Sequence, residues 1–255
     1  MKKRKNYKIF LIVGVVILVI LSFLIGQFLA SQNITFFRNQ TNNNINQYNK
    51  IDDNKEIVYT KENYVPENLP EDLNSDEVRT ELPFINLDSN EIKKINSNIE
   101  EEYNKLKDEN IVTKDMTNIN SVKYKYYVNN NILSLVIEYK SYNYTAGYVN
   151  YEYKTYNINT DSSSEITNDE LMKIKNTNNE EVYNKLLNSL EKEYENLGYD
   201  DYKNTDFYKE TIGNIKKNDK INIPLFLDND NKLNAYLNIR MNMGPGTIAR
   251  NFVLK

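Results

Sequence analysis

Four groups of residues in this chain have types and spacings that could support chemistry. The run Asp228-Asn229-Asp230-Asn231 sets oxygen donors close together, as loops that wrap calcium do. Lys232 stands where the fifth loop position should offer an oxygen, no glycine holds the sixth position, and no glutamate closes the twelfth. A hairpin turn is therefore the better reading of Asp228–Lys232, with calcium as the alternative. Glu100-Glu101-Glu102 and Asp200-Asp201 offer carboxylates, but glycoside hydrolysis needs two that converge across a cleft, and neighbours on a helix face or loop do not converge. Gly244-Pro245-Gly246 is too short and too poor in lysine for a phosphate loop, and reads as a tight turn or bulge. Tyrosine is the unusual resource. Of 21 in the chain, Tyr142, Tyr144, Tyr148, Tyr151, Tyr153 and Tyr156 gather around a short Asn/Thr/Ala/Gly stretch. Tyrosines give rigid amphipathic contact area. The cluster divides between sheet packing and a recognition surface, and Tyr142, Tyr144, Tyr148 and Tyr151 are the candidate ligand contacts.

Composition narrows the chemistry further. The 255 residues include no histidine and no cysteine. That removes Ser-His-Asp and Cys-His nucleophiles, His- or thiolate-ligated zinc, and disulfides. No cofactor is expected and the domain is expected to be non-enzymatic. Carboxylate-only cell-wall chemistry remains as a lesser alternative.

The elements that must position these residues begin with an anchor. Lys2, Lys3, Arg4, Lys5 and Lys8 precede an uncharged run from Ile9 to Ala30 whose only polar members are Ser22 and Gln27. A helix of that length reaches roughly 33 Å, enough for the hydrocarbon core of a bilayer. The basic flank places residues 1–8 in the cytoplasm. A cleaved signal peptide is the alternative, disfavoured by the length of the run and by Phe28 near the would-be cleavage site. The chain holds 32 Lys/Arg and 36 Asp/Glu, with five of the basic residues and none of the acidic in the first 30, so the remainder carries a net −9. An acidic exported domain disfavours nucleic acid as a partner.

Residues 31–80 read as a stalk. Asn39–Asn49 is Asn/Gln-rich, Pro66 and Pro70 interrupt any helix, and periodicity is absent, although Ile57–Tyr59 has the makings of an edge strand. From residue 81 the pattern turns globular. Asp88-Ser89-Asn90-Glu91 reads as a capping box ahead of Ile92, Ile95, Ile99, Tyr103 and Leu106, an apolar stripe at helical spacing ending near Lys107. Val122–Val128 and Ile132–Tyr142 flank Asn129-Asn130-Asn131 as a hairpin. In the second strand Leu133, Leu135, Ile137 and Tyr139 alternate with Ser134, Val136, Glu138 and Lys140, which predicts a sheet with one buried face. A strand over Val149–Ile158 follows. Thr167–Glu170 is a second capping box, opening a short helix, and a longer one covers 179–197 with Gly198 as its stop. Strands at Ile221–Leu227, Leu233–Met241 and Thr247–Leu254 end the pattern, the first placed at an edge by Pro224. The expected architecture is an α+β domain over 81–255, with amphipathic helices packed on a mainly antiparallel sheet, preceded by one transmembrane helix.

The stretch Tyr153-Lys154-Thr155-Tyr156-Asn157-Ile158-Asn159, a short turn, and then Glu165-Ile166-Thr167-Asn168-Asp169-Glu170-Leu171 resembles the extracytoplasmic region of the lysozyme-sensing anti-sigma-V factor of Gram-positive bacteria. It is similar also to the region preceding the catalytic domain of certain peptidoglycan deacetylases. The resemblance runs over about residues 80–255, and no site residue of the family maps onto it. It implies the shared module alone, without a sigma-binding segment or a deacetylase domain: an exported, membrane-tethered domain that binds a protein or a cell-wall component. The function expected is therefore binding or sensing at the cell surface. Membership of an envelope assembly is the alternative.

Overall fold

The structure, a computed structural model, describes residues 48–69, 73–113, 117–143, 145–199, 201–240 and 247–254. The expected transmembrane helix at 9–30, the cytoplasmic tail and the first part of the stalk lie outside the described residues. Among the described residues no helix is long and apolar enough to cross a membrane.

The first half contains β1 (Val58–Tyr64), the short helix α1 (Ser75–Val78), β2 (Thr80–Ile85), the long helix α2 (Asn90–Asp108) and β3 (Ile111–Val112). It continues with β4 (Thr117–Asn129), β5 (Ile132–Asn143), β6 (Tyr148–Asn159) and β7 (Ser164–Ile166). Helix α2 forms where the apolar stripe predicted it, and Ile92, Ile95, Ile99 and Tyr103 are its buried face. Its cap differs from the capping box expected at Asp88. Ser89 is the N-cap, its Oγ accepting from the Ile92 amide at 3.1 Å, while Asp88 pairs with Lys93. The Ser89 hydroxyl also donates to the Ser163 carbonyl at 2.7 Å, which ties the helix start to the β6–β7 turn.

β1, α1 and the start of β2, expected within the stalk over 31–80, belong to the folded part. β1 pairs antiparallel with β2, and Ile57, Val58 and Val78 are buried in the core. Asn86 clamps the incoming chain. Its side-chain amide donates to the Asp52 and Glu56 carbonyls and its Oδ1 accepts from the Asp52 amide. These segments are too short and too polar to show periodicity, and only pairing with residues downstream orders them.

β3 to β7 form one antiparallel sheet in sequence order. The turn between β4 and β5 is a two-residue one, since Asn129 sits opposite Ile132, and Asn130 takes the left-handed conformation with φ 52°. Leu133, Leu135, Ile137 and Tyr139 pack with Tyr126, Val122 and Ile158 against α2 and the β1–β2 pair.

The second half contains α3 (Asn168–Ile174), α4 (Asn179–Asn196), a 3-10 turn at Tyr202–Asn204, α5 (Asp206–Ile215), a small pair β8 (Lys216–Lys217) and β9 (Lys220–Ile221), then β10 (Leu225–Leu227), β11 (Leu233–Arg240) and β12 (Thr247–Val253). The capping box at Thr167 is present in both directions. Gly198, at φ 79°, ends α4 with its amide on the Glu195 carbonyl and the Tyr199 amide on that of Tyr194. β10, β11 and β12 form an antiparallel sheet with β10 at an edge, as Pro224 implied. Leu233, Ala235, Leu237 and Ile239 share a second core with Leu186, Leu190 and Tyr194 of α4 and Ile215 of α5.

The expectation of one buried sheet face is corrected here. Ser134 and Val136, on the face opposite Leu135, are 0% and 1% exposed. The three-stranded sheet lies over β5 and β6 and covers that face. Each sheet carries its helices on its outer side, so the fold is α+β in layers of helix, sheet, sheet and helix. At the centre Ser134 Oγ donates to Asn157 Oδ1 at 2.6 Å and accepts from the Leu227 amide at 3.1 Å, and Asn157 Nδ2 donates to the Leu225 carbonyl at 2.9 Å. Ser134→Ala strands these buried groups and is expected to destabilise the protein by about 1–3 kcal/mol in urea unfolding. A smaller change would mean that the clasp does not hold the sheets together.

Candidate binding site

Strand alternation places Lys125 and Tyr127 of β4, Val136, Glu138, Lys140 and Tyr142 of β5, and Tyr151 and Tyr153 of β6 on the face that meets the second sheet. The second sheet supplies Phe226 and Tyr236. Five rings run through this seam in near-parallel order. Tyr127 to Phe226 is 5.6 Å between centroids, Phe226 to Tyr236 5.4 Å, Tyr236 to Tyr153 4.0 Å at an interplanar angle of 2°, and Tyr153 to Tyr151 6.5 Å. Offset aromatic pairs of this kind contribute about 0.5–1.5 kcal/mol each beyond area burial.

Two charged groups are built into the row. The Lys125 ammonium lies 4.8 Å from the Tyr236 ring centroid and donates to the Tyr236 hydroxyl. Glu138 accepts from the Tyr153 hydroxyl at 2.5 Å. Burial holds Lys125 below the usual lysine range, with Glu138 opposing from a distance. Burial pushes the Tyr153 and Tyr236 phenols up, assisted by Glu138 at Tyr153 and by Tyr127 and Glu138 at Tyr236. Tyr127 is pushed up to about 12 by burial and the Asp228 charge. A lysine and a carboxylate each engage a phenol, flanking the stacked rings of the seam.

The row leads to Tyr151 at the outer end of the seam. There Asn238 of β11 donates its amide to the Tyr151 carbonyl. Among the described residues Asn238 Oδ1 and Thr247 Oγ1, both buried, have no hydrogen-bond partner, and the β11–β12 register sets them as diagonal neighbours. Unsatisfied buried polar atoms are costly, so this end of the seam is less well satisfied than the clasp at its centre.

Among the candidate contacts, Tyr142 and Tyr151 fall on this shared face, both half-buried. Tyr148 pairs with Asn143 and so points to the opposite face, because one residue of strand reverses the side chain. Tyr144 lies outside the described residues. Lys125, Tyr127, Glu138, Phe226 and Tyr236 were not legible as site residues. The period of β6 signals that Tyr151 and Tyr153 share a face, but nothing local to Tyr236 says what it stacks on.

The remaining groups resolve as follows. Asp228 spends its carboxylate on its own turn, accepting from the Asp230 and Lys232 amides and from the Asn234 side chain. Among the described residues no cluster of acidic side chains is arranged to hold a metal. Glu100 pairs with Lys61, and Glu102 accepts from Tyr139 at 2.8 Å and from Lys154. Glu102 and Glu138 thus lie on opposite faces of one sheet and cannot act on one substrate. Asp201 accepts from Asn204, and Asp200 and Gly244–Gly246 lie outside the described residues. Compared with protein-family models, curated proteins and solved structures, the chain matches none.

Lys125→Met keeps the shape and removes a desolvated charge that pairs with no carboxylate among the described residues. The variant is expected to unfold at equal or higher urea concentration than the parent, because buried charges are often replaced by apolar groups at a gain of a few kcal/mol. A loss would show that the ammonium anchors the seam. The raised tyrosines give a signed pH dependence. Their contribution is fully present below about pH 10 and is lost as pH climbs from there through the folded values, which for Tyr127 is about 12. Tyr153→Phe is expected to shift the alkaline unfolding midpoint, followed by tyrosinate absorbance, to higher pH.

Proposed function

We propose that this chain is a membrane-anchored extracytoplasmic binding or sensing protein without catalytic activity of its own. Its ligand is a protein or a cell-wall component. The anchor is Ile9 to Ala30, with residues 1–8 cytoplasmic and the domain from about residue 48 onward outside the cell. The observation that carries the reading is the ring row ending at the half-buried Tyr151: rigid aromatic area with a hydroxyl at its edge is what a saccharide or peptide ligand uses. The basic flank and uncharged run support the anchor. The net −9 beyond it disfavours nucleic acid. The module of the lysozyme-sensing anti-sigma-V factor and of the deacetylase N-terminal region is the proposed relative, on the resemblance of residues 153–171.

Two measurements test this. Protease added to intact protoplasts is expected to remove the domain, and protection of the C-terminus overturns the topology. The full chain is expected to retain a ligand from envelope extract, with lysozyme and purified peptidoglycan as the first defined probes. Tyr151→Ala is expected to weaken capture about tenfold with a smaller effect from Tyr148→Ala, since hot-spot truncations cost about 1–2 kcal/mol or more. Capture of another membrane protein and of neither probe would favour an envelope-assembly role. Equal losses at both tyrosines would remove the seam as the site.

A further inference from the structure

A cavity of about 240 Å³ opens on the second half of the molecule, away from the seam. Its walls are two turns. One joins α3 to α4 and carries Lys175 and Thr177, and the other joins β10 to β11 and carries Asn231 and Lys232. Both turns are set by asparagines in the left-handed conformation, Asn176 at φ 51° and Asn231 at φ 58°. Lys175 Nζ donates to the Asn231 carbonyl at 2.7 Å and bridges them. The floor is apolar: Val182, Leu233 and Leu254. Lys185 completes the lining, one turn beyond Val182 on the same face of α4.

The charges around this cavity do not cancel. Asp230 holds Lys232 at 2.7 Å, and Glu181 accepts from the Thr177 hydroxyl at 2.8 Å. Lys175 has a carbonyl as its partner, which leaves its charge in place. Lys185, half-buried, meets no carboxylate among the described residues. Three ammonium groups (Lys175, Lys185 and Lys232) therefore stand against two carboxylates (Asp230 and Glu181), an excess of one positive charge over an apolar floor, in a chain whose net charge beyond residue 30 is negative. The volume falls below the range of about 300–1,000 Å³ typical of drug-sized ligands, so the occupant is small.

We propose that this cavity binds a small organic anion, a carboxylate or phosphate carried on an apolar body. The anion takes Lys185 and Lys175, and the body lies on Leu233 and Leu254, the apolar lining residues that keep some exposure. The full-length chain in nonionic detergent, titrated with benzoate and followed by ligand-observed NMR, is the test. Saturable binding is expected at millimolar concentration. Lys185→Gln is expected to weaken it at least tenfold (about 1.4 kcal/mol), while Lys217→Gln, an exposed lysine elsewhere, leaves it unchanged. Acetate, which lacks the apolar body, and benzyl alcohol, which lacks the charge, are each expected to bind at least tenfold more weakly than benzoate. Should Lys185→Gln disturb the thermal unfolding of the chain, Lys175→Gln is read in its place with the same expectation. Unchanged benzoate affinity in the lysine variant, or acetate or benzyl alcohol binding as tightly as benzoate, overturns the proposal.

Discussion

The structure depends on β5 being buried on both faces by two unlike partners. One face, Leu133, Leu135 and Ile137, is apolar and receives α2. The other, Ser134, Val136 and Glu138, is mixed and receives the three-stranded sheet. Because side chains alternate with period two, a slip of one residue would turn the serine and glutamate into the helix core and the leucines into the seam. The Ser134–Asn157 clasp penalises that slip, since it hydrogen-bonds backbone groups of Leu225 and Leu227 that no apolar side chain would satisfy. Register in one sheet is thus locked to the position of the other.

The seam beyond the clasp is unlike a core. Aliphatic side chains give way to five rings, with a lysine and a glutamate each engaging a phenol. Such an interface adds less stability per unit area than packed leucines, because two charges are desolvated to make it. What it provides is a rigid array whose polar atoms sit at defined positions, the property on which the proposed recognition role rests. The many surface ion pairs, such as Lys61–Glu100 and Lys220–Asp169, are exposed and contribute little by comparison.

Turn chemistry in this chain is carried by asparagine. With seven glycines in 255 residues, left-handed positions fall instead to Asn68, Asn130, Asn176, Asn218 and Asn231, joined by Asp219 and Ser163. Asparagine tolerates that conformation through local hydrogen bonding. The turns that frame the lysine-lined cavity are of this kind.

Local sequence determined much of the architecture. The stripe Ile92–Tyr103 makes α2, the alternation in Ile132–Tyr142 makes β5, the capping box at Thr167 starts α3 and Gly198 stops α4, because each is set by neighbours within a few residues. The candidate face was half legible: the period of β6 joins Tyr151 to Tyr153 and excludes Tyr148 once the strand is granted. Tertiary structure alone decided the rest. Val58 is a core residue because β2 pairs with it, Val136 is buried because a second sheet covers it, and Tyr153 is a stacked ring because Tyr236 arrives from 83 positions downstream. Such contacts leave no periodic trace, since the free energy that selects them comes from surfaces brought together only when the chain has folded.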